Sequence, residues 1–112
     1  MQEDYNAILQ ADACRQHNDR IGTFLNIQKG LAYNYKNYEL YYMLGEYYLE
    51  ENPKKAYLCF ENAEYYCNVN EDFFIISQAK KVSLNRAYLF QTYPSSYYHT
   101  IQNRKCNYVL TA

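Results

Sequence analysis

With 112 residues, 49% of them hydrophobic, the chain has the length of one ordinary domain and is too apolar to remain disordered. Its 11 Lys and Arg against 12 Asp and Glu give a net charge of −1, and beyond the short Arg104-Lys105 pair it lacks the basic stripe that is the usual footprint of nucleic-acid binding, so no nucleic-acid partner is expected. Three glycines and two prolines are too few to turn a many-stranded β fold, so long helices are expected.

In chain order, residues 4–17 read as a first helix. Tyr5, Ile8, Leu9 and Asp12/Ala13 recur at helical spacing, and Ala7, Ala11 and Ala13 are strong helix formers. Asn18-Asp19 ends it and offers an N-cap for the next helix. The second helix spans 20–34, with an apolar stripe of Ile21, Phe24, Leu25, Ile27 and Leu31; Gly22 and Gly30 within it mark close helix approach. Asn37 caps a third helix running from Tyr38 to about Glu50, with Tyr41, Leu44, Gly45 and Tyr48 on one side.

Glu51-Asn52-Pro53 is the clearest punctuation: Asn52 caps, and Pro53 fits the first helical position, where its missing N–H is not needed. The fourth helix follows to about Cys67, with Ala56, Cys59, Phe60, Ala63 and Cys67 on one face. Asn70 is the expected cap of a fifth helix over 71–90, whose buried side is read as Ile75, Ile76, Ala79, Val82 and Ala87. Pro94 ends the pattern. Residues 94–112 form a tail, with a short capping helix near Tyr97–Ile101.

Little points to chemistry. Cys14, Cys59, Cys67 and Cys106 include no C-x-x-C pair, and Cys59 and Cys67 on one helix would lie about 12 Å apart, too far for a disulfide. Free thiols in a reducing cytosol are expected, with a zinc or disulfide framework as the alternative. Cys14 and His17 share a helix face, as do Glu61 and Glu64; each pair has an ordinary structural reading. Three scattered glycines make no phosphate loop. The expectations are therefore no catalytic residues, no cofactor and no metal. The polar start, Met1-Gln-Glu-Asp, does not read as a signal peptide, and no apolar run reaches membrane-spanning length, so a cytoplasmic chain without membrane insertion is expected. Tyrosine is over-represented, at 16 residues; AT-rich coding accounts for it, with aromatic binding faces as the alternative.

A repeat of 33–34 residues runs through the helices. Thr23 and Ala56, Ile27 and Phe60, and Gly30 and Ala63 are each 33 apart, while Tyr41 and Ile75, Gly45 and Ala79, and Tyr48 and Val82 are each 34 apart. The best unit is Tyr41-x2-Leu44-Gly45-x2-Tyr48 followed by Ala56-x3-Phe60-x2-Ala63. It resembles the tetratricopeptide pattern, with Tyr41 in place of Trp, a link one residue shorter, and Asn68 where the closing Pro would stand. The match is good over 38–67, weaker over 4–34, and covers only a first helix over 71–90. The resemblance implies an all-α fold over 1–93, with five or six helices in antiparallel hairpins stacked as a short right-handed superhelix.

It also implies a function. In such stacks the first helix of each hairpin lines a concave surface, which here places Tyr42, Glu46, Leu49, Ile76, Lys80 and Ser83 on a groove suited to a protein or peptide partner. A scaffold or protein-interaction role without catalysis is expected, and a short array leaves an open end through which a homo-oligomer would form. Residues 37–50 and 56–67 also look like helical segments found beside family 2 glycosyltransferases of gut Firmicutes, which build cell-surface polysaccharide. No Asp-x-Asp nucleotide-sugar motif occurs in the chain. That resemblance therefore implies an accessory domain that positions such an enzyme or contacts glycan, rather than the enzyme itself.

Overall fold

Side chains in the short polar links set the element boundaries. A computed structural model describes residues 2–92, with side chains through residue 89; residues 94–112, with their expected capping helix and Cys106, lie outside the described residues. The helices are α1 (Gln2–Gln16), α2 (Arg20–Tyr33), α3 (Tyr38–Tyr48), α4 (Pro53–Tyr66) and α5 (Asn70–Thr92). Asn18 turns the chain at φ 60°, a left-handed value that Asn tolerates. Asp19, Asn37 and Asn52 then cap α2, α3 and α4, each accepting from the backbone N–H three residues on, and Pro53 opens α4. The fifth boundary differs from expectation. Asn70 already lies within α5, and the carbonyl of Val69 accepts from the Phe73 amide instead. Links of three or four residues make sequential neighbours antiparallel, and α1 packs on α2, α3 on α4 and α4 on α5.

Small residues bring the helices together. Thr23, Ile27 and Gly30 of α2 and Ala56, Phe60 and Ala63 of α4, the pairs spaced by 33, are all buried. The same interval relates Ala7 to Leu40 and Ala11 to Leu44, four more buried residues on α1 and α3. The described residues thus form an all-α fold with a repeat-like internal pattern. A first core cluster holds Ala11, Ile27, Leu40, Leu44 and Cys59; a second holds Ala56, Phe60, Ala63 and Ile76. The tightest contact is between Gly45 and Phe60. A Cβ at Gly45 would stand 2.6 Å from Cδ1 and 2.7 Å from Cζ of the ring, well inside van der Waals contact. At Gly30 a Cβ would lie 2.6 Å from Leu40 Cδ1 and 2.8 Å from the Ala7 Cβ, so this second glycine lets three helices meet.

Three helices turn a different face inward from the one their large apolar residues indicate. On α1 the buried residues are Asp4, Ala7 and Ala11, while Tyr5 and Leu9 are exposed. On α2, Ile21 and Leu25 are exposed, and the small Thr23 and Gly30 flank Ile27 inside. On α5, Ile75 and Val82 are exposed, and Ile76, Ser83 and Ala87 are buried. The 34-residue pairing of Tyr41 with Ile75 and of Tyr48 with Val82 therefore does not carry burial onto α5, whereas Ala79, the partner of Gly45, does pack against the second cluster. Close backbone approach decides these faces, because a stripe of Ala, Ser and Gly lets a neighbouring helix nearer than a stripe of Ile and Leu.

Polar bonds fix how the helices are rotated. Asp4 is 5% exposed, and its Oδ2 accepts from Asn34 Nδ2 and Asn37 Nδ2, each at 2.9 Å. This carboxylate joins the start of α1 to the end of α2 and the cap of α3. Between α4 and α5, Glu64 accepts from Ser77 Oγ at 2.6 Å and from Lys80 Nζ at 2.7 Å. That bond places Ser77 and Lys80 toward α4 and leaves Ile75 on the other side of the helix.

Two predictions follow from this packing. Gly45→Ala should destabilise the fold by about 1–3 kcal/mol through overpacking, and Phe60→Ala by about 3–5 kcal/mol through the cavity it leaves; in denaturant melts Gly45→Ala should cost much less once Phe60 is Ala, because the clash is then gone. The second concerns acid. The amides of Asn37 and Asn34 hold the Asp4 carboxyl below its ordinary range. A folded pKa below the unfolded one gives stabilisation that is complete above the unfolded value and lost as pH falls through the folded value. Asp4→Ala should cost about 1–3 kcal/mol at neutral pH, by stranding two part-buried amide donors, and the gap to wild type in Tm should shrink as the medium is acidified below about pH 4.

Candidate functional site

The odd-numbered helices share a surface. α1, α3 and α5 line a groove of about 410 Å³ on one side of the fold. From α1 come Ile8 and Leu9, with Asp12 and Arg15 one turn further along. From α3 come Tyr38, Glu39, Tyr42, Met43 and Glu46, the face that adjoins its buried residues Leu40 and Leu44. α5 contributes Asp72, Ile75 and Ile76. The middle of the groove is apolar, with exposed Leu9 and Ile75 beside Ile8, Tyr42 and Met43, and the carboxylates stand at its two ends.

Each end has its own electrostatics. At one, the Arg15 guanidinium bonds Asp12 on its own helix and reaches Glu46 Oε1 on α3 at 3.5 Å. Partial burial pushes the Glu46 carboxyl above its ordinary range, against the pull of Arg15 and of a hydrogen bond from Tyr42. Burial, then the nearby Glu46 charge, likewise raises the Tyr42 phenol. At the other end the Tyr38 hydroxyl donates to Asp72 Oδ2 at 2.5 Å and so ties α3 to α5. That hydrogen bond, more than burial, holds the Tyr38 phenol far above its usual range. A second hollow of about 300 Å³ shares Arg15, Met43 and Glu46 with the first and continues toward Asp19 and Arg20 at the start of α2.

Of the residues the sequence places on a groove, the structure brings Tyr42, Glu46 and Ile76 to this one. Ile76 is a floor residue, 2% exposed, rather than a free surface. Leu49 packs instead against the second core cluster. Ser83 is fully buried, its hydroxyl donating to the Lys80 carbonyl, and Lys80 is committed to Glu64 on α4. Ser83 and Lys80 follow the rotation of α5 described above, while Leu49 sits at the C-cap of α3. The α1 wall is the part sequence reasoning missed. Leu9 one turn from charged Asp12 is the available signal, but helical spacing alone does not say which way that stripe faces. Of the repeat residues, Leu44, Gly45, Ala56, Phe60 and Ala63 are buried, and Tyr41 and Tyr48 are partly buried against the second cluster.

The Cys and His residues singled out in the sequence form no joint site. Cys14 accepts a weak bond from Asn26, and His17 donates through Nδ1 to the Ala13 carbonyl, so the two do not address each other. Cys14, Cys59 and Cys67 are free thiols, and burial pushes Cys59 up to about 11, away from the reactive thiolate. Among the described residues no three His, Cys, Asp or Glu side chains converge as metal ligands, and no helix is long and apolar enough to cross a membrane.

The Tyr38–Asp72 bond predicts its own test. Tyr38→Phe should cost about 1 kcal/mol and loosen the first turns of α5, seen as faster amide hydrogen exchange over residues 73–77 with exchange in α1 and α2 unchanged.

No family model matches this sequence, no curated protein matches it and no solved structure matches the chain, so the functional reading rests on the geometry of the groove.

Proposed function

We propose that the chain is a non-catalytic protein-interaction module, built as a short tetratricopeptide-like superhelix, that holds a polypeptide segment in the groove between α1, α3 and α5. The observation that carries this reading is the alternation of roles along the chain. Odd-numbered helices present side chains to one groove, while the 33-residue pairs on α2 and α4 are buried behind them. That is the division of labour expected of stacked hairpins, in which first helices meet the partner and second helices brace the stack. The groove's chemistry suits a peptide. Its apolar centre accepts side chains from an extended strand or helix face, and Met43 adapts to their shape.

A glycan-binding role, the other implication of the sequence, would use exposed tyrosine faces. Tyr41 and Tyr66 stack on each other at 5.8 Å, and Tyr35 and Tyr65 meet Tyr66 edge-on at 6.2 and 5.0 Å; Tyr35 and Tyr65 keep exposed faces, but none of these four rings lines the groove. The peptide reading therefore has the stronger support.

The test is a selection of binding peptides from a random display library, followed by affinity measurement on single-site variants. Leu9→Ser and Tyr42→Ala should each weaken the selected peptides by about tenfold or more, as loss of an apolar anchor does, with far-UV dichroism unchanged. Amide shift changes on binding should fall on α1, α3 and α5. Shifts confined to α2 and α4, or wild-type affinity in both variants, would defeat the proposal. Binding of oligosaccharides with no selected peptide would favour the glycan reading.

A further inference from the structure

The charge in the groove specifies the partner more closely. Among the described residues Asp12, Glu39, Glu46 and Asp72 line it, with Arg15 as the only Lys or Arg. A chain close to neutral overall has therefore gathered a net charge of −3 on one concave surface. Arg15 spends its guanidinium on Asp12 and Glu46. At the far end Glu39 and Asp72 face the groove with no cation in an ion pair to either among the described residues, and Asp72 accepts from the neutral Tyr38 hydroxyl. The two ends of the α3 wall, Glu39 and Glu46, are seven residues apart, about 10 Å along the axis, and Tyr42 and Met43 lie between them.

We infer that the occupant is a cationic amphipathic segment of a partner protein: apolar side chains seated over Tyr42, Met43, Leu9 and Ile75, flanked by Lys or Arg, with the stronger cationic contact at Glu39 and Asp72. This deepens the peptide-binding reading and rests on it. An acidic or uncharged segment would leave Glu39 and Asp72 partly desolvated without compensation, which costs affinity and selects against it. A basic segment is drawn in by the negative potential of the concave wall, and its association should slow as salt screens that field.

The test uses the 112-residue chain and three fluorescein-labelled amphipathic peptides with the same Leu positions, carrying Lys, Gln or Glu at the flanking sites. In fluorescence anisotropy titrations the Lys peptide should bind about tenfold or more tighter than the Gln peptide, and the Glu peptide should bind weakest. Raising the ionic strength should erode only the advantage of Lys. Glu39→Lys should weaken the Lys peptide by about tenfold, Glu39→Gln by less, and Glu61→Lys, on α4 away from the groove, should change nothing. If the Gln or Glu peptide binds as tightly as the Lys peptide and still loses affinity in Leu9→Ser, the cationic assignment is wrong and the groove survives. Equal losses from Glu39→Lys and Glu61→Lys mean the attraction is diffuse, which also overturns the assignment. Failure of all three peptides removes both.

Discussion

The missing side chain at Gly45 is the constraint on which the second half of the fold is built. Because α3 has no Cβ there, the Phe60 ring of α4 lies against its backbone and is removed from solvent altogether. Burial of one such aromatic ring contributes about 2–3 kcal/mol, a large share of the margin by which a domain of this size is stable. With α3 and α4 held this closely, Ala56 and Ala63 on the same stripe let Ile76 and Ala79 of α5 pack down behind them. Gly30 repeats the device between α1, α2 and α3 at its contact with Leu40 and Ala7.

Packing of small residues sets distances but leaves rotations loose, because Ala and Gly are nearly featureless knobs. Hydrogen-bonded polar groups supply the missing information. Asp4, with Asn34 and Asn37, orients α1 against the junction of α2 and α3. Glu64, with Ser77 and Lys80, orients α5 on α4. Such groups are costly to bury alone and nearly neutral once satisfied, so their main effect is to exclude other rotations rather than to add stability. Elsewhere the ties are surface pairs of small individual worth, such as Arg86 with Glu50 at 2.7 Å and Arg20 over the Tyr47 ring.

The groove is a consequence of these rotations. Turning Ser77 and Lys80 toward α4 sends Ile75 and Asp72 to the opposite side, where they face α3 and α1. The same side chains that order the helices thus concentrate carboxylates and exposed aliphatic residues on a single concave wall. Structure and proposed binding are linked here through α5, whose first turns carry both the Tyr38–Asp72 bond and one flank of the site.

Much of this was legible in the residues themselves. Capping Asn and Asp residues, Pro53 and the 33-residue pairing of small with small and large with large are local or nearest-neighbour signals, and they determined the five helices, their links and the buried faces of α3 and α4. The faces of α1, α2 and α5 were decided only in three dimensions. There the periodic Ile, Leu and Val residues pointed one way, while close backbone approach at Ala7, Ala11, Gly30 and Ser83 and the bonds of Asp4 and Glu64 pointed another. Residues 30 or more apart in sequence settle the rotation of α1, and no periodicity within one helix encodes such partners. For the same reason Tyr42 and Glu46 could be placed on a groove from the pattern around Gly45, whereas the opposite walls, Leu9 with Arg15 and Asp72 with Ile75, emerged only when the helices were set side by side.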